Sequence, residues 1–145
     1  MIGLLQRVRH AHVEVQQNTI ASIDAGLLVF IGIEKADDES KADRLLDRLL
    51  TYRVFSDHEG KMNLSLIDVK GGLLLVPQFT LAADTRHGMR PGFSGAATPL
   101  LARRLFDYMI EKAAAKHASL AWGQFGADMQ VTLVNDGPVT FSLQV

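Results

Sequence analysis

Two short apolar runs constrain this chain most: Gly26 to Ile33, and Leu73-Leu74-Leu75-Val76. Both are bounded by turn-forming residues, and the first is rich in Val and Ile. That is the pattern of strands buried in a core. The second run predicts a strand over Leu73 to Leu81, and Leu64 to Val69 predicts another, joined around Lys70-Gly71-Gly72. Partial alternation of Leu4, Val8, Val13 and Val15 predicts an N-terminal strand pair. Tyr52 to Phe55 reads as a strand ended by the turn Ser56-Asp57-His58-Glu59-Gly60. Met129, Val131 and Leu133 alternate toward Asn135, and a last strand is expected from Val139 to Val145.

Two helices are expected between these strands. Ala42, Leu45, Leu46, Leu49 and Leu50 form one apolar stripe at helical spacing, with Asp43, Arg44, Asp47 and Arg48 on the wet face. Asp37, Asp38 and Glu39 place negative charge at its N-terminus, where the macrodipole favours it. A second helix begins with Thr98 as N-cap and Pro99 at the first helical position, and runs through Leu101, Leu105, Met109 and Lys112 to near His117. Between helix and strand, Asp84 to Gly95 reads as a long polar loop, a common place for function. The sum is one α+β domain over residues 1–145, with mostly antiparallel strands and two main helices. Its C-terminal strand must be paired or covered, and dimerisation is one ordinary way to do so.

Composition narrows the chemistry. The 145 residues are 48% hydrophobic and 21% charged, which suits one globular domain with a real core. There is no cysteine, so disulfides, thiolate metal ligands and a cysteine nucleophile are excluded. No apolar stretch approaches the roughly 20 residues that span a bilayer, and Met1 to Arg7 lacks a signal peptide's apolar core. No membrane contact and a cytoplasmic location are expected. The net charge of −1 argues against a long nucleic-acid groove and allows a small contact near one RNA end; DNA is not an expected partner. The basic groups in Arg7-Val8-Arg9 and Arg86-His87-Gly88-Met89-Arg90 read as solvated surface charge.

The usual catalytic sets are missing. His10 and His12 share one strand face, but two ligands do not make a metal site, so neither metal nor cofactor is expected. No zincin helix, P-loop or dinucleotide fingerprint occurs, and no serine stands in a nucleophile elbow. Asp24, Asp57 and Asp136 have turn explanations. What remains is two polar interruptions of a buried pattern: Pro77-Gln78-Phe79-Thr80-Leu81 and Asn135-Asp136-Gly137-Pro138-Val139-Thr140. Thr80 suits a strand, and its hydroxyl is a weak nucleophile without a base. Gln78 offers an orienting amide and Phe79 a flat face for a nucleobase. Gly137-Pro138 reads either as a turn or as a place for a cis peptide, whose two carbonyls pointing one way would form a wall able to sort the two hands of an α-carbon.

These segments resemble the signatures of the bacterial-type D-aminoacyl-tRNA deacylases. The resemblance spans the chain and includes Tyr52-Arg53-Val54-Phe55-Ser56-Asp57, Gly60-Lys61-Met62-Asn63, Gln78-Phe79-Thr80-Leu81-Ala82-Ala83-Asp84, Gly88-Met89-Arg90-Pro91 and Ala127-Asp128-Met129-Gln130-Val131. It implies a homodimer on a barrel-like α+β fold. It implies hydrolysis of the ester joining a D-amino acid, or glycine mischarged on tRNA-Ala, to the tRNA 3′ end. Gly137 and Pro138 would enter the other subunit's pocket as a chiral gate rejecting L-amino acids, and Arg7 would hold the gate in place. Gln78, Phe79 and Thr80 would line the catalytic site. The terminal 2′-OH of the RNA would assist the attacking water, with backbone N–H groups near Phe79 and Thr80 facing developing negative charge; a Thr80 nucleophile is the second scheme. Neither scheme uses a metal.

One position departs from the family pattern. Pro77 stands where the family usually has serine, removing a hydroxyl and a backbone donor. A sister class of editing deacylases with relaxed chirality resembles this chain in that proline, but has alanine where Phe79 stands. Two alternatives therefore stay open: that sister class, and a non-catalytic dimeric nucleic-acid-binding module.

Overall fold

The first strand, β1 (Ile2–Val15), organises the whole sheet because it pairs along both edges. The computed structural model describes residues 1–145. After β1 come β2 (Asn18–Ile23), β3 (Gly26–Gly32), helix α1 (Glu39–Thr51), the short β4 (Phe55–Ser56) and β5 (Met62–Leu64), and the short helix α2 (Leu66–Val69). Then follow β6 (Gly72–Pro77), a 3-10 turn (Phe79–Ala82), α3 (Pro99–Lys116), β7 (Leu120–Trp122) and β8 (Gln130–Gln144). On one edge, the first half of β1 pairs with β3 (Leu5 opposite Val29) and the second half with β2 (Ala11 opposite Ile23). On the other edge β8 runs the length of β1, with Leu5 opposite Phe141 and Val13 opposite Val131. All three pairings are antiparallel, while β3–β6 and β6–β7 are parallel. The result is a single α+β domain built on a nearly closed, barrel-like sheet.

The apolar runs are continuous because both faces of their strands are buried. Leu27, Val29, Leu73 and Leu75 point toward α1 and α3, meeting Leu45, Leu46, Leu49, Leu105 and Phe106. Leu28, Leu74 and Val76 point the other way, into the curl of the sheet, with Val8, Val13 and Ile23. Close approach of β3 to β6 requires Gly26, since a Cβ there would collide with the backbone of Gly72. The two long helices start where expected. Asp38 caps α1 by accepting the Lys41 N–H at 3.0 Å, and Thr98 caps α3 by accepting the Leu101 N–H at 3.3 Å. Tyr108 ties them together, donating to Asp43 at 3.0 Å. Asp37 does more than complement a helix dipole. Its buried carboxylate accepts from the Met1 ammonium at 2.8 Å, the Glu34 N–H at 2.7 Å and Lys41 at 3.0 Å.

Several boundaries differ from expectation. Leu64 ends β5, and the expected strand does not continue to Val69: Ser65 and Asp68 form a reciprocal capping box that nucleates the short α2, in addition to the two main helices. The N-terminal strand pair is β1 and β2, joined by a tight turn with Gln16 and Gln17 both at positive φ, 50° and 65°. Tyr52 caps the end of α1, so the following strand is only Phe55–Ser56. The two expected C-terminal strands are one, β8. Strand β6 stops at Pro77 instead of Leu81, for reasons that shape the site. No helix is long and apolar enough to cross a membrane.

Candidate functional site

Pro77 is the last residue of β6, opposite Ile31 of β3. It carries no N–H, so the ladder loses a donor there. The next residue still reaches back, with the Gln78 N–H donating to the Ile31 carbonyl at 2.8 Å. The chain then coils into the 3-10 turn over Gly32, where a Cβ would lie 2.7 Å from Leu81 Cβ. This converts an expected strand into a rim. Gln78 Nε2 donates to Thr80 Oγ1, so amide and hydroxyl act as one polar unit. Phe79 and Thr80 open the turn, where its own geometry provides no acceptor for their N–H groups.

Phe79 is 62% exposed, an unusual placement for a phenylalanine. Its ring meets only one other aromatic, Phe93, with centroids 5.2 Å apart. Phe93 comes from the loop after the turn. That loop is pinned by paired Asp84 and Gly92 backbone bonds of 2.7 and 3.0 Å, and by Arg86, which donates to both Asp84 carboxylate oxygens. Those Arg86 bonds, with the Arg86 N–H, hold the Asp84 carboxyl well below the ordinary carboxylate range.

Beside the rim lies a cavity of about 490 Å³, lined among others by Gln78, Phe79, Pro99, Phe125, Met129 and Val131. The wall is mostly apolar, with the Gln78 amide at its edge, which suits a flat ring with few polar groups. Thr80 does not line it. Phe125, Met129 and Val131 escaped sequence reasoning as pocket residues. The last two read as strand alternation, and an isolated aromatic between Gln124 and Gly126 carries no periodic signal.

The second segment lies within β8 and is braced by several side-chain hydrogen bonds. Gly137–Pro138 is a cis peptide. Gly137 sits at φ 144°, and a Cβ there would lie 2.6 Å from Val139 Cγ2, so only glycine fits. Arg7 lies beneath it: Nε donates to the Asp136 carbonyl at 2.9 Å and Nη1 to the Val54 carbonyl at 2.7 Å. Arg9 reaches the Asp136 carboxylate at 3.3 Å. Asn135 closes the loop from within, accepting the Val139 N–H at 2.7 Å and donating to Thr140 at 2.9 Å. Val54 and Asn135 thus support the segment, a role the sequence did not assign them.

Within one chain the two groups stay apart. Pairing sets Pro77 level with Ile31, Gly3 and Leu143, six residues along β8 from Gly137. Around the other side of the curl, Val131 lines the Gln78–Phe79 cavity, again six residues from Gly137. At the rise of a strand, either path leaves roughly 20 Å along β8. No hydrogen bond or ion pair joins Gln78, Phe79 or Thr80 to Arg7, Gly137 or Pro138. His10 and His12 gain no companions that would make a cluster of metal-ligating side chains.

Comparison with known proteins places this geometry in a family. A family model described as "D-Tyr-tRNA(Tyr) deacylase" matches residues 4–144. A protein of Pseudomonas putida (strain F1) named D-aminoacyl-tRNA deacylase is 65% identical over 145 residues, covering all of both chains. One of the same name from Janthinobacterium sp. (strain Marseille) is 61% identical, covering all of this chain and 97% of its own. Among solved structures, a "c-Myc DNA Unwinding Element Binding Protein" superposes with a TM-score of 0.96 at 33% identity, over 100% of this chain and 99% of that one. A "probable eukaryotic D-amino acid tRNA deacylase" shares the fold with a TM-score of 0.82 at 16% identity, over 98% of each chain.

Proposed function

Because the chain belongs to the D-Tyr-tRNA(Tyr) deacylase family, we propose that it hydrolyses the ester between a D-amino acid, or glycine, and the 3′-terminal adenosine of tRNA. The cavity beside Phe79 takes the adenosine: its apolar wall fits a base, and the exposed ring offers a stacking face. The Gln78–Thr80 unit orients the ester, and the N–H groups opening the 3-10 turn face the charge that develops on its carbonyl oxygen. Neither segment contains a general base apart from Asp136, whose carboxylate faces Arg7 and Arg9. The terminal 2′-OH of the substrate fills that role by assisting the attacking water, and the protein contributes position. Thr80 then acts through its N–H and its bond to Gln78, not as a nucleophile.

The observation that carries this reading is the separation of the two segments. Gly137–Pro138 is rigidly presented yet remote from its own Gln78–Thr80 rim, so its target is the rim of a second copy. Strand β8 pairs only with β1, leaving its far edge open along 15 residues, a surface that a homodimer covers. In that homodimer Gly137 and Pro138 close the partner's pocket and reject L-amino acids, while Arg7 holds them. The reaction belongs to the cytoplasm, where aminoacyl-tRNA is made. Mixing two variants that each slow D-ester hydrolysis tests the arrangement: Phe79→Ala with an intact gate, and Arg7→Ala with an intact rim. After subunit exchange, hydrolysis of D-Tyr-tRNA should return to about a quarter of the unmutated rate, from the one complete site per heterodimer. No recovery after proven exchange would place gate and rim in the same subunit.

The name of the structural relative gives one observation in favour of a nucleic-acid-binding module without hydrolysis. Tight binding of uncharged RNA or DNA with no cleavage of any aminoacyl ester would favour that reading over ours.

A further inference from the structure

A second hollow, of about 630 Å³, shares Phe125 as a lining residue with the adenosine cavity. Its walls come from β2, α3 and β7 and include Ile20, Arg103, Asp107, Trp122, Gln124 and Phe125. Strand β7 leads from one hollow to the other: Trp122 lines this one, and after Gly123 and Gln124 the chain reaches Phe125, which lines both.

Most of these side chains are exposed, and two of them are unusual for a solvated surface. Trp122 is 46% exposed on the terminal strand of the sheet, leaving a large flat apolar face in water. The Arg103 guanidinium lies 5.6 Å from the centroid of the Phe125 ring, at the divide between the hollows, and forms no ion pair. Its neighbour Arg104 is engaged with Glu39. An aromatic face, a cation without an ion pair and edge-reading polar groups together form a minimal single-strand nucleotide site. Resting on the proposed function, we propose that this hollow binds the nucleotide preceding the terminal adenosine. Trp122 stacks on its base, Arg103 meets the phosphate linking it to the adenosine, and Asp107 or Gln124 reads the base edge, a carboxylate being a natural acceptor for the exocyclic amine of cytosine. A modest two-nucleotide contact of this kind agrees with a net charge of −1.

Trp122 is the sole tryptophan, so its fluorescence reports the hollow directly. The probes are the trinucleotide CpCpA and adenosine alone. The trinucleotide should quench Trp122 and adenosine should not. Arg103→Ala should weaken trinucleotide binding about tenfold and reduce its salt slope by about 0.7, the value for one phosphate on a single strand. In hydrolysis, Trp122→Ala should raise KM for D-Tyr-tRNA about tenfold or more and leave the D-tyrosyl ester of adenosine unaffected, with Trp122→Phe restoring most of the loss. Absence of quenching by CpCpA, equal quenching by adenosine, or equal loss on both esters would overturn the proposal. Quenching by CpCpA with no cleavage of either ester would support the hollow and sink the hydrolytic reading instead.

Discussion

Arg7 joins two distant carbonyls, those of Asp136 and Val54, through separate nitrogens of one guanidinium. Its side chain is largely buried, so its removal leaves both acceptors without their charged donor. Arg7→Ala should cost about 2–3 kcal/mol in urea unfolding. It should also slow D-ester hydrolysis more than the loss of folded protein explains. Arg7→Lys should recover part of the stability and little of the rate, because an ammonium cannot reproduce the fork. Thr80 tests the chemistry at the same scale. If its backbone N–H is what acts, Thr80→Ala should lower kcat by no more than about tenfold, while a substrate ending in 2′-deoxyadenosine should lose on the order of a hundredfold or more. The reverse ranking would restore the threonine nucleophile. The sequence marked Thr80 because a polar group at the end of an apolar run needs a reason, and Arg7 only through the family resemblance. Phe125 stayed hidden, and Asn135 was marked without its bracing role, because a pocket wall and a brace look locally like any aromatic or any turn asparagine.

Elements were legible where one period dominated. The stripe of α1 and the Thr98-Pro99 start of α3 follow from side-chain spacing and capping alone. Leu64 to Val69 misled because a four-residue helix is too short to show a period, and its true signal was the Ser65–Asp68 box. Ser65→Ala should therefore cost about 1 kcal/mol, read as a lower denaturant midpoint. The loop carrying Phe93 depends on the Asp84–Arg86 pair. Asp84 has its pKa depressed in the fold, so its contribution is present above the ordinary aspartate value and is lost as pH falls through the depressed one. The loop should keep its protection from proteolysis through neutral and mildly acidic pH and lose it only in strong acid. Asp84→Asn should expose it already at pH 7.

For the whole molecule, the continuous apolar runs reflect a sheet covered on both faces, by α1 and α3 outside and by its own curl inside. Gly26→Ala strikes the closest approach in that arrangement and should leave little folded protein, measured as soluble yield and helical circular dichroism. The α+β class and mostly antiparallel pairing were readable from the sequence. The parallel β3–β6–β7 join was not, because periodicity carries no strand direction. The proposed sharing of a site between copies rests on the family resemblance rather than on residue reading, since each segment looks locally complete; the register along β8 sets Gly137 apart from its own rim. The central claim is chiral hydrolysis at that shared site. Its most direct test is to incubate the purified protein with matched D-Tyr-tRNA and L-Tyr-tRNA, with EDTA present, and follow release of tyrosine from each. The account predicts rapid loss of the D ester and persistence of the L ester, whereas loss of both would contradict the gate and loss of neither would contradict the enzyme.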